Sequence, residues 1–336
     1  MSLPSALHLG FAKCGSTFLQ AFWRHHPSVY MVFKANFFSP LTLSEFDANV
    51  GRYSEHFREA PAGSTIIESD EHLLMGLLHP TLGVRGLTLG YVEKACQRIH
   101  SVLPDVRLLL VVRNQLEMMV STYSQYLLGG GTLCLDRFAA EFMGCSNRSE
   151  DYFNFYFDEI IEIIEQYFPG HLKVVLAEEL AFDTDTQLAF ICEFMQVPYV
   201  EFDASFRDRR VGLSRIGMPL VRQFNKLVVT RNTVRFNADM WLPRPMYKAI
   251  CNFARVLEHY ALHPWAASNR HQLASPELIE VMRNRFAVSN LRMGERIGKD
   301  LSRWSYSLPK SEGVAGGEVN AEVRSRSSAK MSSVAN

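Results

Sequence analysis

The stretch GFAKCGSTFL, residues 10–19, has the glycine spacing of a loop that binds phosphate. Gly10 and Gly15 allow the backbone to turn tightly, and two hydroxyl residues follow the second glycine. Nucleotide triphosphatases place a lysine directly after the second glycine, where it reaches the β- and γ-phosphates. In this chain the lysine is Lys13, inside the loop. The pattern therefore predicts an anion site whose positive charge is placed differently from that of a triphosphatase.

Residues 14–17 lie where the chain is predicted to pass from this loop into a helix. We expect their amides to point toward the bound anion, with Ser16 and Thr17 adding hydroxyl donors. Cys14 belongs to the same segment, and an anion site would lower the pKa of a thiol there. We interpret Cys14 as a small residue that fits the turn rather than as a redox centre.

Arg113 and Ser121 form a second candidate for holding a phosphate. Arg113 follows the apolar run VRLLLVV, and Ser121 comes 8 residues later on the next predicted helix, just over two turns along. A guanidinium and a hydroxyl can hold one phosphate from two sides. The alternative is that Arg113 caps the strand while Ser121 faces solvent.

Strands that alternate with helices surround both segments. Short apolar runs predict strands, and amphipathic runs predict helices. The alternation is typical of an α/β fold with three layers, in which helices cover both faces of a central parallel sheet and ligands bind at the carboxyl ends of the strands. The predicted strands lie within residues 5–11, 28–33, 64–69, 106–112 and 172–180, and the predicted helices are 16–26, 90–104, 114–128, 151–168, 183–197 and 275–297.

The composition predicts a globular protein in which any charged site is local. Hydrophobic residues make up 47% of the 336 residues, and Lys plus Arg equal Asp plus Glu at 35 each. A net charge of zero offers no overall field to attract nucleic acid or an acidic membrane. The 6 cysteines show no metal-ligand spacing, and the histidines lack the geometry of a metal site, so we expect no metal.

The sequence also suggests where the protein works and where its domain ends. It contains no apolar run of membrane-spanning length and no secretory leader, so we expect no membrane span and a cytoplasmic location. The segment after Pro309 is rich in Gly, Ser and Ala and has few large apolar residues. We therefore predict one domain over residues 1–308 and a disordered tail over residues 309–336.

The two phosphate-binding candidates together resemble a known family. FAKCGSTFL resembles the 5′-phosphosulfate loop of sulfotransferases that use 3′-phosphoadenosine 5′-phosphosulfate (PAPS), and VVRNQLEMMVSTYSQY resembles their 3′-phosphate motif. KVVLAEEL looks like a later strand of the family, and FAVSNLRMGERIGKDLSRWSY is similar to the closing segment of bacterial members. The resemblance spans most of residues 5–308 and implies an enzyme that moves a sulfuryl group from PAPS to an acceptor without a metal.

The resemblance implies roles for the residues of the glycine loop. Lys13 would lie near the oxygen that bridges phosphorus and sulfur, where a cation stabilises the charge that develops on the leaving group. Gly15, Ser16 and Thr17 match the family's 5′-phosphate binders, and the neighbouring Cys14 is assigned to the same cofactor site. PAPS has no γ-phosphate, which explains why no lysine is needed after the second glycine.

The resemblance also implies a site for the 3′-phosphate. Arg113 and Ser121 match the two residues that clamp it. FRDRRVGLSR, residues 206–215, falls where the family often has a basic loop over this phosphate, and Arg210 is the candidate there. The alternative is that residues 206–215 form an ordinary solvated loop.

The general base is where the chain departs from the family pattern. Glycosaminoglycan-type members carry a catalytic glutamate three residues before a Phe-Phe pair, but here that position is Lys34. Relatives also place reactive side chains at the end of the strand that corresponds to STIIES. The candidates there are Glu68 first, then Asp70 and His72. The same residues could instead form the solvated first turn of a helix.

The acceptor is the least defined part of the hypothesis. The resemblance favours bacterial members that act on hydroxyls of carbohydrates or lipid-linked glycans, with small alcohols or phenols second. The alternative to an enzyme is a binding protein that holds PAPS without turnover. A P-loop kinase fits less well, because Ser16 stands where its lysine would be and an arginine follows the buried strand.

Overall fold

The apolar runs between the predicted helices form one parallel sheet. In the part of the chain that the structure describes, the strands are β1 (Ala6–His8), β2 (Val29–Phe33), β3 (Thr65–Ser69), β4 (Arg107–Val112) and β5 (Leu172–Leu176). Their order across the sheet is β2-β3-β1-β4-β5, and every neighbouring pair is parallel. Helices lie on both sides of the sheet, which confirms the predicted three-layer α/β fold.

The structure is a computed structural model, and the residues it describes are 3–33, 37–39, 46–71, 73–74, 89–143, 155–202, 213–230, 239–261 and 273–309. Three residues of the sequence hypothesis lie outside these ranges, namely Lys34, His72 and Arg210. The predicted tail also lies outside them from residue 310 onward.

The helices begin and end close to the predicted limits wherever a capping signal is present. Asn114, Asp183 and Ser275 each accept a backbone N–H of the helix that follows. The helices of the described residues are α1 (Ser16–His25), α2 (Phe46–Tyr53), α3 (Leu89–Val102), α4 (Gln115–Leu128), α5 (Leu135–Phe142), α6 (Phe157–Tyr167), α7 (Ala177–Phe182), α8 (Thr184–Met195), α9 (Gly217–Val228), α10 (Arg244–Ala261) and α11 (Pro276–Ile297).

Two predicted elements have different limits in the structure. The strand predicted over residues 172–180 ends at Leu176, and the acidic pair Glu178 and Glu179 lies in the first turn of α7. Carboxylates are favoured at that end of a helix, because they face the positive end of its dipole. The helix predicted from residue 151 begins at Phe157.

The strand order places the two phosphate-binding candidates next to each other. β1 lies between β3 and β4, with Leu7 paired to Glu68 on one side and to Leu108 on the other. The loops that follow these three strands therefore emerge at one edge of the sheet. A position where successive connections leave in opposite directions is where open α/β sheets bind ligands.

The turn after α4 shows how closely the interior is packed. Gly131 passes against the buried ring of Tyr126, so a Cβ at this position would lie 2.2 Å from Tyr126 Cε1. The Tyr126 hydroxyl accepts the backbone N–H groups of Thr132 and Leu133, at 3.1 and 3.2 Å. This turn carries the chain from α4 to α5. Among the described residues, no helix combines the length and the hydropathy needed to cross a bilayer.

Candidate active site

The glycine loop connects the end of β1 to the start of α1. Its backbone has positive φ at Gly10 (32°), Lys13 (74°) and Gly15 (92°). A positive φ is uncommon for a residue with a side chain, so Lys13 occupies a backbone conformation that a tight functional loop imposes. A Cβ on Gly10 would lie 2.9 Å from His8 Nε2, which leaves room only for glycine.

Two bonds within the loop fix its shape. The Cys14 amide donates to the Phe11 carbonyl at 3.2 Å, and the Ser16 hydroxyl donates to the same carbonyl at 3.1 Å. Both donors were expected to face the anion, and in this structure they close the loop. The amides of Ser16 and Thr17 open α1, where a helix has no acceptor of its own for its first N–H groups. That end of α1 is suited to a phosphate.

The thiol of Cys14 faces the interior. Cys14 is fully buried, and burial raises the pKa of its thiol well above the ordinary value, although the nearby Arg113 guanidinium acts in the opposite direction. A buried neutral thiol is a poor nucleophile and a poor redox centre. This environment fits the interpretation of Cys14 as a small residue in a tight turn.

Arg113 joins the second phosphate motif to the loop. Its Nη1 donates to the Lys13 carbonyl at 3.1 Å, and its Nη2 donates to Glu117 Oε2 at 3.0 Å. These contacts hold the guanidinium at the carboxyl end of β4 beside the loop. Ser121 lies further along α4, is partly exposed, and is not among the residues that line the adjoining cleft.

A cleft of about 880 Å³ opens beside the loop and Arg113. This volume is in the range of sites that bind drug-sized or nucleotide-sized ligands. The starts of α4 and α7, one face of α11 and the segment that follows it form the walls. The charged and aromatic side chains that line it are Lys13, Arg113, Glu117, Glu178, Arg283, Phe286, Arg303, Trp304 and Tyr306.

Asn114 and Glu178 hold the closing segment over this cleft. The Asn114 backbone amide donates to Glu178 Oε1 at 2.8 Å, and its side-chain amide donates to the Ser305 carbonyl at 2.8 Å. The Tyr306 hydroxyl donates to Glu178 Oε2 at 3.2 Å. Burial raises the pKa of the Glu178 carboxyl, while the Asn114 amide favours its charged form. Both segments resemble the family in sequence, but their sequences alone indicate no role for Glu178 or Tyr306.

The candidate bases near the end of β3 differ in their burial and hydrogen bonds. Glu68 is the fourth of the five residues of β3, is buried, and accepts a hydrogen bond of 2.6 Å from the Tyr53 hydroxyl. β3 ends at Ser69, which is the predicted end of this strand, so Glu68 is its penultimate residue. Asp70, the next candidate, is also buried, and its backbone amide donates to the His8 carbonyl at 3.0 Å.

Glu71 is one of the acidic residues whose charge acts on the loop. It raises the pKa of Cys14, after the larger effects of burial and of Glu178, and it opposes the effect of burial on His8. Glu71 is partly exposed, unlike Glu68 and Asp70. Glu71 lies two residues after the predicted end of this strand, but the sequence gave no sign that it would be more exposed than Glu68 and Asp70.

His8, at the end of β1, is connected through Ser69 to β3 and α1. Its Nδ1 lies 2.9 Å from Ser69 Oγ, which also accepts a bond of 3.1 Å from Gln20 Nε2. The ring is fully buried, and its Nε2 has no hydrogen-bond partner within the described part of the chain. Burial lowers the pKa of His8 from its ordinary 6.5 to about 4, with Glu71 opposing. His8 is therefore neutral at physiological pH.

The fold is similar to that of solved sulfotransferases. A sulfotransferase from Alicyclobacillus acidocaldarius superposes with a TM-score of 0.55 over 90% of this chain and 99% of that chain, at 18% identity. Two further solved structures are similar at lower TM-scores. They are mouse sulfotransferase SULT7A1 complexed with PAP (TM-score 0.42, 10% identity, 87% of this chain and 89% of that chain) and the sulfotransferase domain from the curacin biosynthetic pathway (0.36, 14%, 76% and 99%).

The family itself is shown by a sequence comparison. No curated protein matches the chain. The family model described as the sulfotransferase domain matches residues 4–206, which is more than half of the chain and includes the loop, Arg113 and the end of β3. The chain therefore belongs to the sulfotransferase domain family, whose members are PAPS-dependent enzymes.

Proposed function

We propose that this sulfotransferase transfers the sulfuryl group of PAPS to a hydroxyl of a carbohydrate or a glycolipid. The observation that carries the proposal is the contact of Arg113 with the backbone of Lys13, because it joins the two phosphate motifs at one cleft. The carbohydrate or glycolipid acceptor is supported by the sequence similarity of residues 286–306 to the closing segment of bacterial members.

The donor half of the site uses the loop, α1 and Arg113. The first amides of α1, at Ser16 and Thr17, would hold the 5′-phosphate, and Lys13 would stabilise the negative charge of the departing bisphosphate. Arg113 would bind the 3′-phosphate, and its bond to Glu117 keeps the guanidinium oriented before the ligand arrives. Ser121 and Arg210 remain candidates for this phosphate.

The acceptor half of the site lies toward the end of β3. When bound, PAPS supplies the sulfuryl group, which forms a bond to the acceptor oxygen as its bond to the bridging oxygen breaks. We propose Glu71 as the base that takes the proton from the acceptor hydroxyl, since it follows the end of β3, is partly exposed where Glu68 and Asp70 are buried, and acts electrostatically on the loop. Asp70 and His72 are the next candidates. Glu68 would act on stability through its bond to Tyr53.

Transfer of radiolabelled sulfur from PAPS tests the reaction and its acceptor. The acceptors should include oligosaccharides, lipid-linked sugars, small alcohols and phenols. We expect transfer to a carbohydrate or glycolipid hydroxyl, and transfer to phenols alone would contradict the proposed acceptor class. Replacing Lys13 by Ala should lower kcat by about 10²–10³. The matched control is Lys94→Ala, which removes an exposed lysine of α3.

Two substitutions test which residue acts as the general base. Glu71→Gln should lower kcat by about 10²–10⁴ while the affinity for adenosine 3′,5′-bisphosphate stays the same. Glu68→Gln should leave kcat nearly unchanged and reduce the free energy of unfolding. A Glu71→Gln protein with full turnover would exclude Glu71 as the base.

A further inference from the structure

Three buried polar side chains meet where the glycine loop and the end of β3 leave the sheet. His8 is the last residue of β1, Ser69 is the last residue of β3, and Gln20 is a buried residue of α1. Ser69 Oγ lies 2.9 Å from His8 Nδ1 and accepts a bond of 3.1 Å from Gln20 Nε2. We call these three residues the polar triad.

The sheet does not need polar side chains at this level. His8 pairs with Ser69 on one side and with Leu109 of β4 on the other, and Leu109 is apolar and fully buried. Burying polar side chains costs free energy that their hydrogen bonds offset, whereas apolar side chains of similar size contribute free energy directly. A buried hydrogen-bonded network instead fixes one arrangement of the elements that it joins. The polar triad joins β1, β3 and α1 at the candidate active site.

The hydrogens of the polar triad have a defined arrangement. Gln20 Nε2 donates to Ser69 Oγ, so within the described part of the chain the Ser69 hydrogen has His8 Nδ1 as its acceptor. The pKa of His8 is about 4, so the ring is neutral and carries its own hydrogen on Nε2. Gly10 passes so close to Nε2 that a Cβ there would lie 2.9 Å from it. The imidazole therefore contacts the glycine loop with one nitrogen and the end of β3 with the other.

The chain leaves β3 directly from the polar triad. The Asp70 amide, next to Ser69, donates to the His8 carbonyl at 3.0 Å, and the Leu73 amide donates to the Asp70 carbonyl at 3.2 Å. Glu71 lies inside this turn, two residues after Ser69. The turn that carries Glu71 is therefore fixed to the last residue of β1, by a backbone bond and by the side chains of the polar triad.

We infer that the polar triad positions Glu71 against the glycine loop, so that the base and the sulfuryl group meet at the distance that the transfer requires. His8, Ser69 and Gln20 are positioning residues, because none of them is among the residues that line the described cleft. A displacement of about 1 Å in such an arrangement can lower a rate by about 10²-fold. The inference rests on the proposed function of Glu71 as the base and explains how the fold holds it in place.

Steady-state kinetics with PAPS and the best acceptor of the parent test the inference. Ser69→Ala should lower kcat at least about tenfold, because the turn with Glu71 is released. The affinity for adenosine 3′,5′-bisphosphate should stay within about twofold, because the bonds that close the glycine loop are intact. Gln20→Met keeps the volume of the side chain and removes the other bond of Ser69, so it should also lower kcat.

The matched control is Ser289→Ala. It removes a buried hydroxyl that donates to Asp158, on a part of α11 that does not line the cleft. This variant should keep the kcat of the parent, even if its free energy of unfolding falls. If Ser69→Ala and Gln20→Met both keep the kcat of the parent, the inference is overturned.

A double-mutant cycle shows whether Ser69 acts through Glu71. In a protein that already carries Glu71→Gln, Ser69→Ala should change kcat by less than about twofold. Equal effects of Ser69→Ala in the two backgrounds would overturn the inference. Glu71→Gln by itself tests the base. A failure of the proposed function is therefore seen in the single variant, and a failure of the inference is seen in the comparison of the two backgrounds.

Hydrogen exchange tests the position of the turn without any turnover. The Asp70 amide should exchange at least about tenfold faster in Ser69→Ala than in the parent. The Leu9 amide, which donates to the Leu109 carbonyl at 2.9 Å on the other side of β1, is the internal reference and should change much less. Equal acceleration at both amides, or none at Asp70, would overturn the inference. This measurement decides the inference even for a parent that transfers no sulfuryl group to any acceptor.

Discussion

The buried His8 beside the glycine loop allows a quantitative prediction of how the free energy of unfolding depends on pH. The pKa of His8 is about 4 in the folded protein, against 6.5 for an ordinary histidine. The unfolded chain therefore binds more protons than the folded chain between these two pH values, and stability falls as the pH is lowered through that window. Above the unfolded pKa the contribution of His8 is fully present, and it amounts to about 3 kcal/mol.

The matched variant is His8→Asn, which keeps a polar contact with Ser69 and does not titrate. On going from about pH 7 to about pH 5, the parent should lose about 2 kcal/mol more of its free energy of unfolding than the variant does. Urea denaturation followed by circular dichroism at a series of pH values measures both proteins. The charge of Glu71 opposes the effect of burial on His8, and this opposition is already included in the pKa of about 4. Parallel pH profiles for the two proteins would refute the reasoning.

Three further substitutions test the packing around the site by urea denaturation at neutral pH. Tyr53→Phe should cost about 2 kcal/mol, because it removes a hydrogen bond to the buried Glu68 carboxylate, and an unchanged midpoint would contradict this. Gly131→Ala should cost about 1–3 kcal/mol, because its Cβ would overlap the Tyr126 ring, whereas Gly51→Ala, with open space around it, should cost nothing. Asn114→Ala should cost about 1–2 kcal/mol through the lost cap of α4. Proteolysis near Ser305 should also become faster, and an unchanged rate would contradict the role of the contact between Asn114 and the Ser305 carbonyl.

The sequence was sufficient to predict the strands that carry the site. The run VRLLLVV is apolar at nearly every position, as a strand buried on both faces must be, and it forms β4. The contact between the Arg113 guanidinium and the glycine loop follows from this, because β4 pairs with β1 and both strands end at one edge of the sheet. The position of Ser121, outside the residues that line the cleft, depends on how α4 is oriented, which the spacing alone does not specify.

The candidate base could not be predicted in the same way. β3 ends at Ser69, as the sequence predicted, but the strand pattern does not show that Glu68 is buried and bonds to Tyr53, 15 positions away in the chain. Neighbouring side chains at a strand end point in different directions, so their tertiary contacts decide which acidic residue can reach the loop. The contact of Asn114 with Ser305 joins residues 191 positions apart, and no local pattern records it.

α2 and α5 were missed for a different reason. Both lie in segments where the sequence predicted no strand or helix, and each is only 8 residues long. Helices of that length have little intrinsic stability and depend on packing against the rest of the protein. Their presence is therefore decided by tertiary contacts rather than by the local sequence.

The most direct test of the central claim is to measure, by calorimetry, the affinities of adenosine 3′,5′-bisphosphate and adenosine 5′-monophosphate for the parent and for Arg113→Met. The account predicts that the parent prefers the bisphosphate by about 10–100-fold, since a charge-assisted bond to the 3′-phosphate contributes that much. In Arg113→Met this preference should disappear while the monophosphate still binds. If the ratio of the two affinities is the same in both proteins, the cleft beside Lys13 and Arg113 does not hold the 3′-phosphate, and the account is contradicted.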